Sequence, residues 1–153
     1  MYRTLLVSTC VSALTALVVG GGALASASSS GGGQTFTVIE KSTGGKFVDL
    51  GKKGFGVGDE FTFASDFWNT AQTRKVGHSN GYCVVISATR DHCFATACFH
   101  GGTLEAAGGH LSSASDFSLA ITGGTGKYRG ANGQVTIHSL SDTTSRDVIQ
   151  LVD

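Results

Sequence analysis

Proline is absent from this chain of 153 residues, so its turns fall to 23 glycines. Charge is scarce as well: 14% of residues are charged and the formal net charge is zero. That balance argues against a nucleic-acid partner, which needs a basic stripe against phosphates, and against a polybasic membrane-surface role. Familiar catalytic spacings are missing too. There is no GxxxxGK[ST] phosphate loop and no GxSxG elbow. The five histidines, His78, His92, His100, His110 and His138, show neither HxH nor HExxH spacing, so no metal site is expected from sequence. Beyond the N-terminal stretch no segment carries a helical apolar stripe. What remains fits one small domain with one core.

The first 27 residues have the pattern of a secretory signal. Arg3 gives a short basic start, residues 5–19 are mostly apolar and uncharged, and Ala-x-Ala sites follow at Ala23 and Ala25. Interruption by Thr and Ser, with small residues crowding the end, favours cleavage over a retained anchor. Residues 28–34, rich in Ser and Gly, are expected to form a flexible linker. The expected product is a secreted, extracellular domain over residues 35–153, with no membrane partner once the signal is removed.

Period-two alternation runs through this domain. Residues 35–40 alternate, and residues 60–68 do so more clearly, with Phe61, Phe63, Ser65 and Phe67 on one side. Further strands are expected over 81–87, 93–99, 103–107, 116–122, 134–140 and 147–152, and a glycine-rich loop over 44–58. About eight strands in so short a domain fit a closed antiparallel barrel, since closure removes exposed edges; a β-sandwich is the alternative.

Four features bear on chemistry. The segment 117–133, FSLAITGGTGKYRGANG, packs five glycines between Gly123 and Gly133 around Lys127, Tyr128 and Arg129. With nothing helical after it, the segment reads as a strand-to-strand corner and not as a phosphate cradle. Glu40, one of only three glutamates after the signal, shares a strand face with Phe36 and Val38. Turned inward, it is a carboxylate in an apolar cavity, able to steady a cation or move a proton; turned outward, it is an ordinary strand-end charge. Phe55, Phe61, Phe63, Phe67 and Trp68 either fill a core or line a cavity. Cys83, Cys93 and Cys98 remain after the signal; export favours a disulfide, and three is an odd number. A Cys83–Cys98 bridge fits a hairpin in which residue 88 pairs with residue 93.

The same residues resemble a known family. The segment 117–135 is similar to the signature of the allene oxide cyclases, shared in looser form by the dirigent proteins. Residues 74–86, RKVGHSNGYCVVI, and residues 55–63, FGVGDEFTF, are similar to two further family segments, in the same order. The resemblance implies an eight-stranded antiparallel, lipocalin-like barrel, often a homotrimer, that uses no cofactor and binds a small hydrophobic molecule. Allene oxide cyclases close an unstable fatty-acid epoxide into a cyclopentenone; dirigent proteins steer reactive phenoxy-radical or quinone-methide species. By the same resemblance Glu40 takes the position of a cavity glutamate, Phe55 and Phe63 those of cavity aromatics, and Cys83 that of a cavity cysteine. Ser42 and Ser65 stand where asparagines hold a water, and His110 where a tyrosine stands. Similarity to secreted bacterial relatives implies a Cys83–Cys93 bridge. The chain departs from the family in lacking the proline of the first loop and in carrying a secretory rather than a plastid N-terminus. The expectation is therefore a secreted barrel that guides cyclisation or isomerisation, an isomerase-like role, with a non-catalytic binding or structural barrel as the alternative.

Overall fold

The structure, a computed structural model, describes residues 33–152. The expected signal over 1–27 and most of the expected linker lie outside the described residues. Eight strands follow in order: β1 (Thr35–Val48), β2 (Glu60–Trp68), β3 (Lys75–Ser87), β4 (Arg90–Phe99), β5 (Gly102–Leu111), β6 (Asp116–Gly124), β7 (Asn132–Ser141) and β8 (Thr144–Val152). Each pairs antiparallel with the next, and β8 returns to β1, so the sheet closes into a barrel with no free edge. The expected barrel is the observed one, and the sandwich is excluded.

Residues expected to be loop at Gly44–Gly45 are strand. A bulge between Ser42 and Gly44 breaks the register of β1 on β2 and reverses the side-chain alternation beyond it. Val38, Glu40 and Ser42 face inward before the bulge; Gly45 and Phe47 take the inner face after it, opposite Phe63 and Phe61. A Cβ at Gly45 would sit 2.5 Å from the Thr62 carbonyl oxygen, so glycine lets the two strands lie this close.

The two ends of the barrel differ. At one end β6 passes through a three-residue 3-10 turn, Gly126–Tyr128, into β7. This is the glycine-rich corner, and the turn is too short to present a helix N-terminus to a phosphate. Gly126 (φ 58°) and Gly130 (φ 81°) adopt left-handed backbone there. The corner drives Tyr128 into the barrel, where its ring meets Phe99 edge-on at 6.0 Å, and Phe99 stacks on Phe67 at 5.2 Å. With Val38, Leu104, Ile121 and Ile149 these rings form the core that plugs this end. The other end, formed by the C-termini of β1, β3, β5 and β7 and the N-termini of the strands between, is open.

Cys83 and Cys93 lie directly opposite each other on β3 and β4 and form a disulfide. The Cys83–Cys98 alternative fails because the hairpin turns early: Ser87 pairs with Arg90, which sets Cys98 against His78. Replacing both Cys83 and Cys93 by serine is expected to cost about 2–3 kcal/mol, the loop-closure entropy of so short a loop, measured by urea unfolding. Reductant should lower wild-type stability by the same amount and leave the variant unchanged.

Candidate functional site

Above the plugged end the barrel encloses a chamber of about 340 Å³. Its floor is the plug itself, with Phe67, Leu104, Ile121 and Ile149 exposed to the space. Phe63, Leu119, Val135 and Ile137 form apolar walls, and Ala95, Ala97 and Ala106 leave room in the middle. Small inward residues on β4 and β5 keep this barrel from filling with its own side chains.

Two carboxyl groups stand deep in this space, and a third, Asp142, lines it from the exposed turn after β7. Alternation on β1 aims Glu40 inward. On β8, alternation puts Ser145, Asp147 and Ile149 on the inner face. Register sets Glu40 opposite Ser145 and Val38 opposite Asp147, so the two acids are diagonal neighbours across one strand pair. Asp147 is only 3% exposed. Ser79 Oγ donates to Glu40 Oε1 at 2.5 Å, and Ser145 Oγ donates to Asp147 Oδ1 at 2.7 Å. Burial first, then the negative charge of Glu40 and a hydrogen bond with it, push the Asp147 carboxyl up to about 8; the Ser145 hydrogen bond pulls the other way. Asp147 therefore keeps its proton at neutral pH and directs it at Glu40. The site holds an acid and a proton acceptor side by side, behind hydroxyls and walled by hydrocarbon.

Nearer the mouth lies a different group. His110 stacks on Phe117 at 4.0 Å, and its Nδ1 is 3.9 Å from Cys93 Sγ, so ring and disulfide share one stretch of wall. Burial lowers the His110 pKa, with Asp91 across the β4–β5 pair pulling it back up. The imidazole thus stays neutral at pH 7 and can donate or accept one hydrogen bond at the chamber entrance.

Of the residues expected from sequence, Glu40, Ser42, Phe63, Ser65, Cys83 and His110 all line the chamber. Ser42 and Ser65 are direct partners across β1 and β2. Cys83 lines it as half of the disulfide, not as a thiol. Phe55 does not line it. It sits 56% exposed in the segment between β1 and β2, outside the strand ladder, stacked on Phe47 at 6.3 Å and tilted against Phe61 at 6.2 Å. Sequence reasoning missed Asp147, Ser79 and Phe117. Asp147 had a readable signal: it alternates with Ile149 and Leu151, which places an acid on an apolar strand face.

Among the described residues no cluster of three or more His, Cys, Asp or Glu side chains could hold a metal ion. The closed ladder, the single open end and the internal carboxyl pair define a cavity-bearing antiparallel barrel. Within that class the chain belongs to the allene oxide cyclase barrel-like family, whose model, "Allene oxide cyclase barrel like domain", matches residues 33–151. Among solved structures it is similar to pyocyanin demethylase, at 26% identity and a TM-score of 0.71 over 78% of this chain and 100% of that one. It is also similar to AbnU, an exo-specific intermolecular Diels-Alderase, at 14% identity and a TM-score of 0.66 over 79% of this chain and 98% of that one. A third is the pterocarpan synthase dirigent protein PsPTS1, at 20% identity and a TM-score of 0.65 over 79% of this chain and 95% of that one. The last two likenesses carry the fold alone. They place this chain in a fold that includes cyclising and dirigent proteins.

Proposed function

We propose that this protein binds a small hydrophobic molecule in the barrel and guides its cyclisation or isomerisation. The observation that carries the reading is the pair Glu40–Asp147, an acid that keeps its proton beside a carboxylate, in a chamber walled by hydrocarbon below and by serine and threonine hydroxyls toward the mouth. The apolar walls hold a ligand in a restricted set of conformations, which favours ring closure by orientation. Protonated Asp147 offers its proton to a carbonyl, epoxide or ether oxygen of the ligand. Glu40, held by Ser79, steadies the positive charge that develops or accepts a proton from carbon. In an isomerisation the proton given by Asp147 and the one taken by Glu40 balance, so no external redox partner is consumed. Neutral His110 and Phe117 at the entrance orient the end of the ligand that stays nearest solvent.

Cyclising and demethylating relatives of the same fold support this class of chemistry, and the secretory pattern of residues 1–27 supports action outside the cell. A homotrimer is part of the proposal and is read by light scattering. The test of function is untargeted: the protein is incubated with culture extract, re-isolated and its bound compounds identified by mass spectrometry. An apolar compound that is retained and slowly converted to an isomer of equal mass is the expected result. A compound retained without conversion assigns the barrel to binding alone, and no retained compound overturns the proposal.

A further inference from the structure

Charge inside the chamber has one sign. The lining includes the carboxyl groups of Glu40, Asp142 and Asp147 and no lysine or arginine. Asp147 keeps its proton and is neutral. Glu40 accepts from Ser79 and lies against Asp147, so its neighbours supply hydrogen bonds and no positive charge. Asp142 lies in the turn between β7 and β8, at the chamber mouth. Among the described residues the ion pairs are Lys75–Asp66 and His138–Asp116, so Glu40 and Asp142 belong to none.

The wall beside them adds to the same sign. On β4 the inner face runs through Ala97, Ala95 and Cys93, and alternation continues it to Asp91, the register partner of His110. Asp91 has a buried carboxylate oxygen, Oδ1, with no hydrogen-bond partner, and its charge reaches His110. Burial outweighs that pull, so the imidazole brings no positive charge of its own. The rim outside is mixed. Lys46, Lys52, Lys53 and Arg90 are exposed there, among Asp49, Asp59, Glu60, Asp91, Asp116 and Asp142. None of those four cations lines the chamber, so the rim does not offset the charge within.

Negative charge in such a space selects what binds there. Carboxylates behind low-dielectric walls attract positive charge and repel negative charge more strongly than they do in water. Three aromatic rings, Phe63, Phe67 and Phe117, border the same space, and ring faces attract cations as well. A volume of about 340 Å³ lies at the lower end for small-molecule sites and suits a fused aromatic bicycle better than a long chain.

We propose that the ligand of this chamber is an apolar molecule bearing a positive charge, a protonated amine or an N-alkylated aromatic ring, set against Glu40, and that molecules bearing a carboxylate are excluded. Glu40 then steadies a charge that the ligand brings with it, as well as any that develops. This ligand class rests on the binding reading above and narrows it. It removes fatty acids from the candidates, since no cationic side chain lines the chamber to receive their carboxylate.

The test is equilibrium dialysis at pH 7 with four probes of similar size: 1-naphthylmethylammonium, N-methylquinolinium, 1-naphthalenemethanol and 1-naphthoate. The full chain is used in the processed form that expressing cells yield, the same for wild type and variants. Both cations are expected to bind at least about tenfold more tightly than naphthoate, with the neutral alcohol between them. In Asp142→Asn the gap should narrow. In Glu40→Gln with Asp147→Asn it should close, the second change keeping Asp147 from taking over the charge. The alcohol should bind all three proteins alike. Naphthoate bound as tightly as the cations, or a gap unchanged in both variants, overturns the proposal. So does an ammonium that binds while the quinolinium does not, since hydrogen-bond donation and not charge then decides. The alcohol separates the two readings. Bound with no preference shown for the cations, it leaves the binding reading standing and overturns this one; no probe retained overturns both.

Discussion

Asp147→Asn is expected to flatten the pH dependence of folding. In the folded chain the Asp147 carboxyl holds its proton up to about pH 8, whereas unfolded it releases it near 3.8. Between those values the native state binds more protons than the unfolded state, so stability falls as pH rises. The stabilising contribution is complete below about pH 4 and gone above about pH 8. Asparagine keeps the shape, cannot ionise and donates its amide hydrogen toward Glu40. The variant should lose the slope across this window. Above its upper end the variant should be more stable than wild type by on the order of 2 kcal/mol, the cost of an ionised carboxylate buried beside another. Urea unfolding followed by Trp68 fluorescence at several pH values measures this. A slope that survives in the variant would remove Asp147 as the proton carrier.

Glu40→Gln has the largest expected effect on activity. Glutamine retains an oxygen to accept from Ser79 but neither steadies a cation nor accepts a proton from carbon. Turnover of the captured compound should fall by about 10²–10⁴-fold, the range of a lost general acid–base group, with little change in unfolding free energy. A second readout needs no substrate. Glu40 contributes both its charge and a hydrogen bond to raising the Asp147 pKa, after burial. In Glu40→Gln the pH at which stability is lost should therefore move down. Unchanged turnover would take Glu40 out of the mechanism, and an unmoved pH midpoint would take it out of contact with Asp147.

The barrel was legible because closure writes itself as alternation. In β2, Phe63, Ser65 and Phe67 recur at every second position, and all three face the chamber. The glycine motif was legible as a corner for a related reason: left-handed backbone at Gly126 and Gly130 demands glycine whatever the tertiary setting. Where Phe55 would sit was not legible: it packs on Phe47 and Phe61 beyond the residues that line the chamber. Its segment is tied by Asp59 to a loop outside the ladder, and no local pattern announces a single buried aspartate as the organiser of ten residues.

By itself the sequence determined the all-β class, the strand count and the corner, because these depend on short-range periodicity and backbone sterics; the alternation on β1 put Glu40 on one face with Phe36 and Val38 but left open whether that face turned inward. The partners were settled by the tertiary structure, which bears out the Cys83–Cys93 bridge that the resemblance implied over the Cys83–Cys98 bridge that the hairpin spacing allowed. Register across β3 and β4 chose Cys93 over Cys98 for Cys83, one early turn making the difference. Barrel closure brought β8 back to β1, over a hundred residues away in sequence, and set Asp147 beside Glu40. The chemistry of the chamber rests on that junction: a carboxyl group keeps its proton to about pH 8 only when burial and a second acid reach it from another strand.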